Sequence, residues 1–164
     1  MTLRQYAVDP QRNSRIAEWV QFSREIDNER YCPIIVPDTD RALESYSEFA
    51  SLPVFREAAF NLGLRMALYE SAYLNMFVNC GPGSLCILND KCRYLFFKVS
   101  LDDVVLTSGK TLKAMGFQSG ETPSFATEHQ RWIWEDDTFD VLSREFGAMV
   151  DIIERDTQLG AERH

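Results

Sequence analysis

Hydrophobic positions along the chain follow two spacings. Ile16, Trp19, Val20, Ser23 and Ile26 recur at three and four, which predicts a helix over residues 14–26 with Ser14 at its N-cap. The compact, β-branched run 31–36 stops at Pro37 and Asp38 and predicts a strand buried on both faces. Further helices are predicted over 41–50 and 55–72. The longer one places Phe60, Leu64, Ala67 and Leu68 on its apolar side, with Gly63 as a tolerated interruption. Residues 73–78 form the clearest strand, running into Asn79-Cys80-Gly81-Pro82-Gly83-Ser84 and then a short helix from Leu85. Strands at 93–99 and 131–135 and a small helix at 110–115 follow. Phe139, Leu142, Phe146, Met149 and Ile153 predict a last helix over 138–154.

With a short alternating strand at 2–6 added, strands alternate with helices throughout, and several strands are uniformly apolar. That pattern predicts an α/β, Rossmann-like parallel sheet with helices on both faces. No repeat or linker divides it, so residues 2–154 read as one domain and 155–164 as a polar tail expected to fray.

Composition narrows the function classes. At 164 residues, 45% hydrophobic and 26% charged, the chain is of ordinary globular make-up. No apolar run approaches the roughly 18 residues that span a bilayer, and residues 1–10 lack the basic-then-apolar signature of a leader. No membrane span and a cytoplasmic address are therefore expected. Seventeen basic against 25 acidic residues leave a net charge of -8 without any Lys/Arg run, which argues against nucleic acid as a partner. The same surface suits a basic protein partner, as in an immunity or regulatory module, or serves solubility alone. Cys32, Cys80, Cys86 and Cys92 form no C-x-x-C pair and the two histidines form no cluster, so neither metal nor cofactor is expected.

In an open parallel sheet, ligands bind outside the carboxyl ends of the strands. Two loops there carry candidate chemistry. The turn at 79–84 leads a strand through glycines into a helix, where backbone N–H groups and the helix dipole favour a phosphate or carboxylate; it is equally readable as a plain turn. The loop after the first strand brings Arg4, Arg12, Asn13 and Arg15 to one crossover, where guanidinium groups could clamp a diphosphate or lie solvated. Glu135, Asp136 and Asp137 follow the last strand; they suit sugar hydroxyls or, for Asp137 preferentially, the N-terminus of the following helix. Trp132 and Trp134 are expected on opposite faces of the sheet. Phe125 and His129 read as loop anchors, or as a place for an aromatic to stack on a base.

The order of these motifs resembles the C-terminal, nucleotide-sugar-binding half of two-domain (GT-B) glycosyltransferases of the bacterial surface-polysaccharide and heptosyltransferase type. The residues carrying the resemblance are Thr2-Leu-Arg-Gln-Tyr6, Arg12-Asn-Ser14, Trp19, Val36-Pro-Asp38, Tyr69-Glu-Ser-Ala72, Leu74-Asn75, Asn79-Cys-Gly-Pro82 and Gln130-Arg-Trp-Ile-Trp-Glu-Asp136. It implies that Asn79, Gly81, Pro82, Gly83 and Ser84 line a donor phosphate site, with Arg4 and Arg12 adding positive charge. Asn13 and Glu135 complete the expected donor-binding set. The N-terminal half that supplies the acceptor site in such enzymes has no counterpart in these residues. The expected partners are therefore a nucleoside diphosphate sugar and a second lobe, subunit or copy of the chain, with catalysis incomplete in this chain alone.

Overall fold

The computed structural model describes residues 1–44, 47–49, 52–102 and 104–161. The protein is α/β, built on a parallel sheet of β1 (Asn75–Val78), β2 (Tyr94–Phe97) and β3 (Gln130–Trp132) in that spatial order. Phe77 stands opposite Phe96, and Phe96 opposite Trp132. Every residue of β1 and β2 is buried, as befits parallel strands covered on both faces.

The two-residue period of the strands sorts their side chains into two cores. On one face, Met76, Val78, Leu95, Phe97 and Ile133 pack with Trp19 and Phe22 of α1 (Ile16–Glu25) and with Leu142, Met149 and Ile153 of α6 (Phe139–Ala161). On the other, Phe77, Tyr94, Phe96 and Trp132 meet Tyr69 of α3 (Leu62–Ser71), Cys86 of α4 (Ser84–Ile87) and Leu112 of α5 (Gly109–Ala114).

Isolated parallel bridges extend this arrangement beyond β1. Thr2 bridges both Phe77 and Val36, and Ile35 bridges Val54. Thr2 N donates to Met76 O at 2.9 Å, Leu3 N to Val36 O at 3.1 Å, and Phe55 N to Ile35 O at 2.8 Å. The spatial order of extended segments is therefore 53–55, 34–36, 1–4, β1, β2, β3. Prolines keep the outer ones short: Pro33 and Pro37 flank one and Pro53 opens another, each lacking the N–H that a ladder needs.

Several expectations are corrected. The strand read over 31–36 contracts to bridges at Ile35 and Val36. The helix read over 55–72 breaks at Asn61 into α2 (Glu57–Phe60) and α3, because the Asn61 side-chain oxygen Oδ1 accepts from Leu64 N at 3.0 Å and starts a new helix. The break re-phases the faces, leaving Phe60 56% and Leu64 43% exposed while Arg65 and Tyr69 turn inward. In place of a helix over 41–50 there are 3-10 turns at Thr39–Arg41 and Ser47–Phe49; residues 45, 46 and 50 lie outside the described residues.

Trp132 and Trp134 share one face, as residues two apart in a strand must, with ring centroids 6.4 Å apart. Of the tail expected to fray over 155–164, residues 155–161 continue α6 to Ala161, with Asp156 paired to His129, and 162–164 lie outside the described residues. Among the described residues no helix is long and apolar enough to cross a membrane.

Candidate functional site

The carboxyl ends of the segments converge where 1–4 and β1 lie side by side. Arg4 is 6% exposed, and its guanidinium donates to Val8 O at 2.7 Å, to Asp9 O at 3.1 Å and to the Asn13 side-chain oxygen. Asn13 also bonds both Tyr6 N and Tyr6 O at 3.0 Å. These two candidates thus close the 5–13 loop on itself. Burial, then the neighbouring Arg12, lowers the Arg4 guanidinium from its ordinary value.

Arg12 is placed differently. It reaches across to β1's end, donating from Nη2 to Asn79 O at 3.3 Å and to Asn79 Oδ1 at 3.2 Å. Asn79 in turn donates to Val99 O at 3.0 Å. Arg12 Nε is buried and has no hydrogen-bond partner, and the same holds for Gln5 Oε1. Arg12 and Asn79 are the expected pair that the structure brings together.

The turn at 79–84 departs from the expected anion cradle. Gly81–Gly83 is a 3-10 turn and α4 spans only four residues. Gly83 N is committed to Cys80 O at 3.1 Å and Ser84 N to Gly81 O, so neither N–H is left free for a ligand. Gly83 faces the core: a Cβ there would stand 2.7 Å from the Phe77 ring, which no side chain tolerates. Gly81 and Pro82 remain at the rim beside Asn79.

One further group here escaped sequence reasoning. Arg65 is 2% exposed on α3; its Nε donates to Ala58 O at 2.6 Å, while its Nη2 is buried without a partner. Cys80 lies within the field of Arg65, Asp38 and Arg4, but burial dominates and pushes its thiol up to about 11. Asp38, after the second segment, accepts from Gln5 N at 3.2 Å.

Beside the loop that carries Arg12 and Asn13 lies a buried ion cluster. Lys98, 5% exposed, ends β2 with a left-handed φ of 53°. Its ammonium forms ion pairs with Asp137 Oδ1 at 2.7 Å and Asp136 Oδ1 at 2.9 Å and donates to Asn13 O at 3.1 Å. Asp137 is fully buried, and its Oδ2 accepts from Trp19 Nε1 at 2.6 Å and from Arg15 N at 2.9 Å. Burial pushes Asp137 up against these bonds. Asp136 resists burial through bonds from Lys98, Asp137 and Arg15, which hold it at about 2.

Helix caps are exchanged as a result. Ser14, expected to cap α1, instead accepts from Arg4 N at 2.9 Å. Asp137, expected at the start of α6, caps α1 through Arg15 N, while Glu18 of α1 accepts from Phe139 N of α6 at 2.9 Å. Glu135 pairs with Arg144 on the exposed face of α6, away from Arg12. Phe125 is exposed in its loop. His129 Nε2 lies 2.8 Å from Asp156 at the opposite, amino end of β3. With Glu128 these two bring one ligand atom each within 4.8 Å of one another, a grouping that the spacing of residues did not anticipate.

No family model matches the chain, and searches of curated proteins and of solved structures return no match.

Proposed function

We propose that the chain is a Rossmann-like module that binds a nucleoside diphosphate, as carried by a nucleotide sugar, at the crevice between segment 1–4 and β1. Numbered along the chain, the extended segments lie in the order 3-2-1-4-5-6. That order is the doubly wound one, and its switch point, where ligands bind, falls between segments 1 and 4. Helical cover on both faces agrees with it.

One observation carries the ligand class. Two buried guanidinium nitrogens, Arg12 Nε and Arg65 Nη2, make no hydrogen bond; Arg12 lies within the field of Arg4, and Arg65 and Arg4 both act on Cys80, just past β1. Each guanidinium keeps other partners, Asn79 and Asp9 for Arg12 and Ala58 O for Arg65, but a buried N–H left unpaired is costly, and a phosphate oxygen is the acceptor that suits a guanidinium fork best. Asn79 positions Arg12, and Gly81 and Pro82 form the adjoining rim. Arg4 and Asn13 act one step back by fixing the loop that carries Arg12.

In sugar transfer, such guanidinium groups would stabilise the charge that develops on the departing diphosphate. Deprotonation of an acceptor and exclusion of water belong in this proposal to a second lobe or subunit facing the crevice. Titration calorimetry of the chain against nucleoside diphosphates and their sugars tests the reading. One base is expected to bind selectively, and Arg12→Ala to weaken it roughly 10–100-fold, the worth of a hydrogen bond to a charged group. Absence of binding across the whole panel would overturn it.

A further inference from the structure

A cavity lies at the other end of the sheet. Residues 30–34, the 71–75 stretch that leads into β1, the last turn of α1 and the C-terminal half of α6 enclose about 690 Å³. That volume falls within the roughly 300–1,000 Å³ typical of small-molecule sites. Its walls are aromatic. Tyr31 meets Phe146 edge-on with centroids 5.1 Å apart and lies 5.5 Å from the Tyr73 ring, and Phe22 packs on Phe146 at 5.4 Å.

One polar group in these walls is left poorly satisfied. The Tyr31 hydroxyl is buried and makes no hydrogen bond of ordinary length, the Tyr73 side chain being its polar neighbour, a state that costs a polar group much of its hydration without full return. Arg30, which lies over the Tyr31 ring at 5.2 Å, is held by Glu154 at the cavity's rim, so the mouth carries a neutralised pair rather than a free charge. A strongly charged ligand therefore gains little there. A flat apolar body gains from offset and edge contacts with four rings.

The geometry points to a binding site at the amino ends of the strands for a small aromatic molecule bearing one hydrogen-bond acceptor, with Tyr31 as the donor that orients it. The site stands on residues other than Arg12, Arg65 and Asn79, so it holds or fails independently of the diphosphate reading.

Fluorescence titration with 2-acetylnaphthalene, in parallel with naphthalene, tests this on the intact chain. Saturable binding of one acetylnaphthalene per chain is expected, with naphthalene binding more weakly. Tyr31→Phe should weaken acetylnaphthalene about five- to tenfold, the worth of one net hydrogen bond, and leave naphthalene unchanged. Ala72→Trp, which puts an indole into the cavity, should abolish both. Near-ultraviolet circular dichroism confirms that each variant is folded, and if Ala72→Trp does not fold, Tyr31→Phe alone decides. Non-saturating binding, equal affinity for the two probes, or indifference to Tyr31→Phe would overturn the proposal. A response to nucleoside diphosphates that persists in these variants would show the two sites to be separate.

Discussion

Lys98→Met is the most informative single change. Methionine keeps the length and apolar stem of lysine but removes the ammonium, leaving Asp137 fully buried with only Trp19 Nε1 and Arg15 N as donors and Asp137 Oδ1 without its ion-pair partner. Breaking a buried ion pair by removing one member typically costs about 3–5 kcal/mol, because the remaining charge stays buried. The upper part of that range is expected, since Asn13 O loses a donor in the same step. For a chain of this size the loss amounts to a fall in Tm on the order of 10 °C.

Urea denaturation of the wild type, Lys98→Met, Asp137→Asn and the double variant forms a complete cycle. The double variant should be less destabilised than the sum of the singles by at least about 2 kcal/mol, because neutralising Asp137 removes the charge that Lys98 no longer balances. Strict additivity, or a cost for Lys98→Met below about 1 kcal/mol, would refute the view that this cluster joins the ends of β2 and β3 to α1.

Three further outcomes follow from the same geometry. Gly83→Val should destabilise by about 1–3 kcal/mol through overlap with the Phe77 ring, measured by urea denaturation; an unchanged midpoint would mean the turn can move. Native thiol titration near pH 8 should count one fast group, the exposed Cys32, and four after unfolding, because Cys86 and Cys92 are buried and burial raises the Cys80 thiol to about 11. For Asp136, the folded carboxyl at about 2 lies below its unfolded value, so its contribution is present above pH 4 and is lost as pH falls towards 2. Asp136→Asn should flatten Tm against pH across that window, and an unchanged slope would remove Asp136 from the acid response.

Much of the sheet was legible because Met76–Val78 and Tyr94–Phe97 are apolar runs of the kind that a parallel sheet covered on both faces accommodates, although β3, Gln130-Arg131-Trp132, is not one. The 53–55 segment was not, since three residues headed by Pro53 offer no periodicity. Asn61 hid a helix break, because its capping oxygen looks no different in sequence from any helical asparagine. At the site, Arg12 and Asn79 were visible as polar residues just past strand ends, and their meeting follows from strand order. Lys98 carried a signal in retrospect: a lone cation directly after the buried run Tyr94–Phe97. Arg65 carried none, since the re-phasing of α3 at Asn61 is what turns it inward. The exchange of caps between α1 and α6 joins residues more than a hundred positions apart, which only tertiary packing reveals.

The central claim is that the switch point between segment 1–4 and β1 receives a diphosphate. The most direct measurement is an amide NMR titration with the tightest nucleoside diphosphate found by calorimetry. The account predicts shifts confined to residues 4–13, 38, 65 and 79–83, lost in Arg12→Ala while that variant's spectrum stays folded. Shifts centred instead on residues 30–34 and 146–158, or none at saturating ligand, would contradict it.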